Sequence, residues 1–233
     1  MNKIIASAAF AAALFSTSSF AVPITFEKLT GVTGGTNANT AVFRADLSTI
    51  ADPILSITIR DNSAGLGGSP GQFSGFDLDA IKASTTLCAD AACAAAAPAL
   101  AFFDFINGVV FAPGTQRAPA DPKLFGTGLA GNSVDNLVAT LGLFDGESTT
   151  LIPGADGFVS LGDNGVISFN LTSALNGSGV YLYIGEVGDN GEVAASSIEV
   201  SDRPVVIPEP STLGLFGLAL LGAAARRKTP PAK

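Results

Sequence analysis

Short apolar runs, many of them alternating with polar residues, recur along most of the chain between clusters of Gly, Asn, Asp and Ser. Residues 42–47, 54–60, 73–81, 101–106, 157–161, 166–171, 180–184 and 193–200 each read as a strand. Their β-branched and aromatic residues at period two suit a half-buried pleated surface. Helical periodicity is confined to two places. In 133–144, Val134, Leu137, Val138 and Leu141 share one face, with Ser133 or Asn132 at the cap position. The alanine run 89–101, broken by Pro98, predicts a short helical loop. Parallel sheets need helical crossovers, and these are too few. The pattern predicts an all-β domain over 22–203, a β-sandwich with a jelly roll as its specific form.

One tetrapeptide occurs twice between apolar runs, as Gly162-Asp163-Asn164-Gly165 and Gly188-Asp189-Asn190-Gly191. Asn and Gly tolerate positive φ, so each copy predicts a tight hairpin turn. A pair of calcium loops is the alternative. Cys88 and Cys93, with four residues between them, predict a small disulfide loop contributing about 2 kcal/mol.

The two ends break the strand pattern. Residues 1–21 carry Lys3, an apolar run over 4–15, and small residues Ser19 and Ala21 at the −3 and −1 positions of a cleavage site. That is the layout of a secretory signal peptide. Residues 204–233 hold Pro208-Glu209-Pro210, then an uncharged stretch over 211–225, then Arg226-Arg227-Lys228. As a helix capped by Ser211 or Thr212, the uncharged stretch spans about 22 Å. The hydrocarbon core is about 30 Å thick. Slight bilayer thinning or snorkelling of Arg226 and Arg227 covers the difference, and basic residues hold such an end on the cytoplasmic side. The tail therefore reads as a short transmembrane helix.

Proline-flanked Glu209, apolar helix and basic stop, in that order, resemble the PEP-CTERM sorting signal of Gram-negative bacteria. The resemblance covers the tail alone. It implies a substrate of an exosortase, a membrane cysteine transpeptidase acting near the Pro208-Glu209-Pro210 motif. It also implies a transient stay in the inner membrane, then the cell envelope, cell surface or extracellular matrix, in association with exopolysaccharide or biofilm. Thr229–Lys233 runs past the basic cluster, where such signals usually stop.

Composition narrows the chemistry of the domain. With 47% hydrophobic residues the 233-residue chain can bury a core, which excludes a disordered acidic tail. Residues 22–225 hold all 20 acidic residues and seven of the 12 basic ones, for a net charge of −13. Such a surface repels nucleic acid and anionic headgroups. The absence of histidine removes His-dependent catalysis and the commonest zinc sites.

Two apparent motifs fail on physics. Gly67-Gly68-Ser69-Pro70-Gly71 has the spacing of a nucleophile elbow, yet Pro70 has no N–H to offer an oxyanion, so the segment reads as a turn. Gly126-Thr127-Gly128-Leu129-Ala130-Gly131 lacks the preceding strand of a dinucleotide site and reads as a glycine-rich loop. Carboxylates remain. Asp77 and Asp79, two apart on a strand, face one side. They are candidate calcium ligands, completed by Glu186, Asp189 and Glu192 or by Asp61. Otherwise they form a solvated strand face. A carboxylate glycoside hydrolase would favour Trp and Tyr in its cleft, and this chain has no Trp and only Tyr181 and Tyr183. The residues thus lead to a non-catalytic exported protein without a required cofactor. A calcium-dependent glycan- or protein-binding module is the alternative, and a hydrolase comes third.

Overall fold

In the computed structural model the described residues are 21–35, 38–63, 65, 67–147, 157–190 and 198–206. The predicted leader up to residue 20, the tail motif Pro208–Pro210, the apolar segment 211–225, the basic stop Arg226–Lys228 and Glu192 all lie outside them. Among the described residues no helix is long and apolar enough to cross a membrane.

Eleven strands appear in the described chain: β1 (Ala21–Pro23), β2 (Glu27–Lys28), β3 (Thr33–Gly34), β4 (Asn39–Asp46), β5 (Ile54–Arg60), β6 (Asp77–Ser84), β7 (Val109–Ala112), β8 (Val159–Ser160), β9 (Val166–Leu175), β10 (Tyr181–Val187) and β11 (Ile198–Ser201). Two short helices join them, α1 (Ala91–Ala96) and α2 (Asn136–Ala139). Sheet I has the order β1-β11-β5-β9-β7 and sheet II the order β2-β4-β10-β6-β8, with β3 paired to β4. Every strand pairing is antiparallel.

The pairing partners run inward from both ends of the chain. β1 pairs β11, β4 pairs β10, β5 pairs β9 and β6 pairs β8. The chain is a doubled ribbon wound across two facing sheets, which is the jelly roll that the strand pattern predicts. β7 and β2 extend the two sheets at their edges.

Period-two burial explains the elements. Ile57 and Ile59 on β5, Ile167 and Phe169 on β9, and Ile198 and Val200 on β11 point into the space between the sheets. Leu182 and Ile184 on β10 meet them from sheet II, with Leu78, Ile81 and Ala83 on β6. The three-residue step from Leu78 to Ile81 breaks strict alternation, and a β-bulge accommodates it. Asp79 and Ala80 together oppose the single residue Gly185, so both flanking apolar side chains stay in the core. Gly185 is required there, because a Cβ would meet Thr40 Cγ2 at 2.7 Å.

The outer face of sheet II is covered rather than solvated. Val42, Ala80 and Tyr183 pack against Cys88, Ala91 and Ala94 of the α1 segment and against Phe144. The alanine run does form the short helix α1, and Asp90 caps it by accepting from the Cys93 amide at 2.7 Å.

Several expectations need correction. The segment 101–106 is not a strand. Asp104 accepts from the Ile106 and Asn107 amides and closes a turn, and only Phe103 makes an isolated bridge, to Leu171. Its aromatic residues serve the core instead: Phe103 and Phe105 stack on each other at 5.8 Å, each edge-on to Phe169. The helix expected over 133–144 shrinks to the four residues of α2. Val134 is held in a bridge with Thr127, Asp135 supplies the cap, and Thr140 ends the helix in the left-handed region at φ 44°. The Thr140 hydroxyl holds that geometry by bonding both the N–H and the C=O of Gly157, a local bond that competes with helix continuation. Leu137 and Leu143 are consequently exposed.

The 162–165 tetrapeptide does form a tight turn, with Gly162 at φ 75°, Asn164 at φ 65° and Gly165 N–H donating to Gly162 C=O. It does not close a hairpin, since β8 belongs to sheet II and β9 to sheet I. The turn transfers the chain between sheets. β10 and β11 likewise lie in different sheets.

Phe169 is the aromatic hub of the core at 1% exposure. Phe169→Ala is expected to lower the unfolding free energy by about 3–5 kcal/mol, read from urea denaturation of the purified domain.

Candidate functional site

The carboxylates singled out in the sequence are built into the fold one by one. Asp79 sits at the bulge of β6 and is fully buried. Its Oδ2 accepts from Thr40 Oγ1 of β4 at 2.6 Å and its Oδ1 from the Gly146 amide at 3.0 Å. Asp77 is also buried, and its Oδ1 accepts from Ser160 Oγ of β8 at 2.5 Å. The solvated strand face is therefore not observed, because the 140–147 loop and β8 cover it. Burial is the main cause that pushes the Asp79 carboxyl up, to about 7, and neighbouring Asp145 pushes the same way. The bonds from Thr40 and Gly146 oppose that shift without cancelling it.

Asp61, at the end of β5, accepts from the amides of Phe76 and Asn164 and from the hydroxyl of Ser63. One side chain thereby ties β5 to the entry of β6 and to the 162–165 turn. Glu186 is buried on β10, opposite Ala41 and Leu78. Asp189 pairs with Lys28 at the surface. Among the described residues no group of three or more Cys, Asp or Glu side chains is placed to hold a metal ion.

The covering segment of sheet II is pinned by polar side chains from beneath. Cys88 and Cys93 are disulfide-bonded, as their spacing predicts. The Tyr183 hydroxyl donates to Thr86 C=O and accepts from the Cys88 amide. Buried Lys82 of β6 donates to the carbonyls of Ala94, Ala95 and Ala97 at 2.8–3.2 Å. A cation at that point satisfies the last carbonyls of α1 and complements its dipole. Burial lowers the Lys82 pKa from the usual lysine range. Lys82 and Tyr183 thus both bond the backbone of the covering segment.

A second polar arrangement lies on the outer face of sheet I, where the chain leaves β11. Ser201, Ser56 and Asn170 stand in register across β11, β5 and β9, and they bond successive backbone groups of the segment that follows. Ser201 Oγ accepts from the Arg203 amide at 3.2 Å. Ser56 Oγ donates to Arg203 C=O at 2.6 Å. Asn170 takes both groups of Val205, accepting from its N–H at 2.6 Å and donating to its C=O at 2.9 Å. Residues 203–205 thus form a strap laid across three strands, and Val206 beyond it is 85% exposed. In sequence these three residues look like ordinary outward-facing polar positions. Nothing in the local pattern marks them as one row. Ala21, the last residue of the predicted leader, pairs with Ser201 in the same region.

Residues 206–228 match the PEP-CTERM protein-sorting motif. The match takes in Pro208, Glu209, Pro210, Arg226, Arg227 and Lys228, and it begins one residue past the Asn170 contact with Val205. The chain carries this sorting motif in its C-terminal tail. No curated protein and no solved structure matches the chain.

The buried Asp79 carboxyl has a thermodynamic consequence. With its pKa raised from 3.8 to about 7, the folded state holds a proton that the unfolded chain releases between these values. Its contribution is intact below about pH 4, declines as pH rises to about 7 and is level above that. Relative to Asp79→Asn, the wild type is expected to lose stability across this window by up to about 1.4 kcal/mol per pH unit. Urea denaturation of both proteins from pH 4 to 8 measures the difference.

Proposed function

We propose that the chain is an exported, non-catalytic envelope protein whose acidic jelly-roll domain is delivered by its tail to an exosortase-type membrane transpeptidase. The observation that carries this reading is the sorting motif over 206–228, directly behind a folded domain. The tail holds the chain in the inner membrane through its apolar segment and basic stop. Processing near Pro208-Glu209-Pro210 then leaves the domain at the cell surface or in the extracellular matrix, associated with exopolysaccharide. A net charge of −12 over 22–207, from seven basic and 19 acidic residues, keeps the domain away from anionic headgroups once it is released.

The domain itself supports a scaffolding role. Asp61, Asp79 and Lys82, buried groups of the kind from which an acid–base site is made, are each engaged in bracing loops and a helix end. The calcium-dependent binding reading draws no support from Asp77 and Asp79, whose carboxylates are taken up by Ser160, Thr40 and Gly146.

Replacing Pro208, Glu209 and Pro210 by alanine is expected to leave the tail attached and the protein in the membrane fraction. Intact-mass measurement on membrane and medium fractions reads this out. Equal mass and equal fractionation for variant and wild type would overturn the proposal.

A further inference from the structure

We infer that the strap over 203–205 is a latch governing access to the sorting motif, with Asn170 and Ser56 as its positioning residues. The inference rests on the sorting reading above and adds a control point to it.

Three peptide links separate Val205 from Pro208, a contour of at most about 11 Å. While Asn170 holds both backbone groups of Val205, the motif is tethered to that docked residue by no more than this length of chain. A processing enzyme must grip extended chain on both sides of the bond it cuts. With the strap docked, the upstream side is occupied by the sheet itself. Undocking Arg203 and Val205 frees the chain back to Ser201 and more than doubles the reach.

The way the strap is held suits a latch. A groove of about 240 Å³ bordered by Ala21, Thr58, Glu199 and Pro204 lies along the strap, so the segment is not close-packed along its length. The row of hydrogen bonds from Ser201, Ser56 and Asn170 fixes the backbone of the strap at Arg203 and Val205. Val206 is exposed and adds little packing. Such a segment opens locally without global unfolding, and cleavage of it follows the population of the open form.

Removing the two Asn170 bonds by Asn170→Ala is expected to raise that open population, and with it the rate of tail removal, roughly tenfold. Ser56→Ala, which deletes an independent bond in the same row, is expected to act in the same direction. The measurement is a pulse-chase of tail removal from the full-length chain in its producing cells. A six-residue Gly/Ser spacer inserted after Val206 is expected to speed removal and to make it insensitive to Asn170→Ala. Hydrogen exchange on the purified protein checks the fold of each variant, with faster exchange confined to the Val205 amide region. Wild-type rates for both Asn170→Ala and Ser56→Ala, or persistent sensitivity to Asn170 with the spacer in place, would overturn the latch. The alanine-substituted Pro208–Pro210 variant runs alongside. If it is processed like wild type, the sorting reading fails. If it is blocked while the Asn170 and Ser56 variants keep the wild-type rate, the latch alone falls.

Discussion

Long-range antiparallel pairing between the two halves of the chain is the constraint on which the structure depends. β4 and β6 flank β10, and β5 lies between β9 and β11, so neither half can complete a sheet alone. The interior is closed by side chains from strands far apart in sequence, such as Ile59 with Ile167 and Ile198. Register carries much of the energy here, because a one-residue slip of β10 would exchange Leu182 and Ile184 for Tyr183 and Gly185 in the core. At the bulge of Asp79 and Ala80, sequence spacing and pleat disagree. Gly185 and the Asp79 carboxyl sit there together, braced by Thr40 and Gly146.

Polar groups inside the domain follow a common logic. Asp61, Lys82 and Tyr183 each reach from a strand or strand end to the backbone of a turn, a loop or the end of a short helix. A buried group with two or three such bonds meets its own desolvation and at the same time fixes the loop. This is how long connections remain ordered over a sheet whose outer face would otherwise be wet.

The sheet strands were the most legible part of the chain. β5 is bounded in the sequence as it is in the structure, and β4, β9 and β10 follow from their alternation. β7 carries too few residues to stand out from its glycine- and proline-rich surroundings. The segment 101–106 shows apolar residues without a ladder, since Phe103 and Phe105 pack from a turn. The helical pattern of 133–144 was real in its spacing, but spacing does not register Asp135 and Thr140, whose side chains bond the backbone locally. Turn chemistry at Gly162–Gly165 was readable, whereas the destination of the next strand was not, because a tight turn does not specify the sheet its exit joins. The sorting tail was legible as a motif. The row Ser201, Ser56 and Asn170 was not, since its members come together only through the register of three strands.

β11 also has a temporal meaning. It is inserted between β1 and β5, yet it is the last strand of the described chain. A polypeptide threaded N-terminus first must therefore hold the seat between those strands vacant until residues 198–201 arrive. Through that interval β1 lacks its neighbour and one edge of β5 presents unpaired amides and carbonyls, a template for wrong partners. Closure of sheet I and emergence of the chain's own C-terminal extension are thus nearly one event.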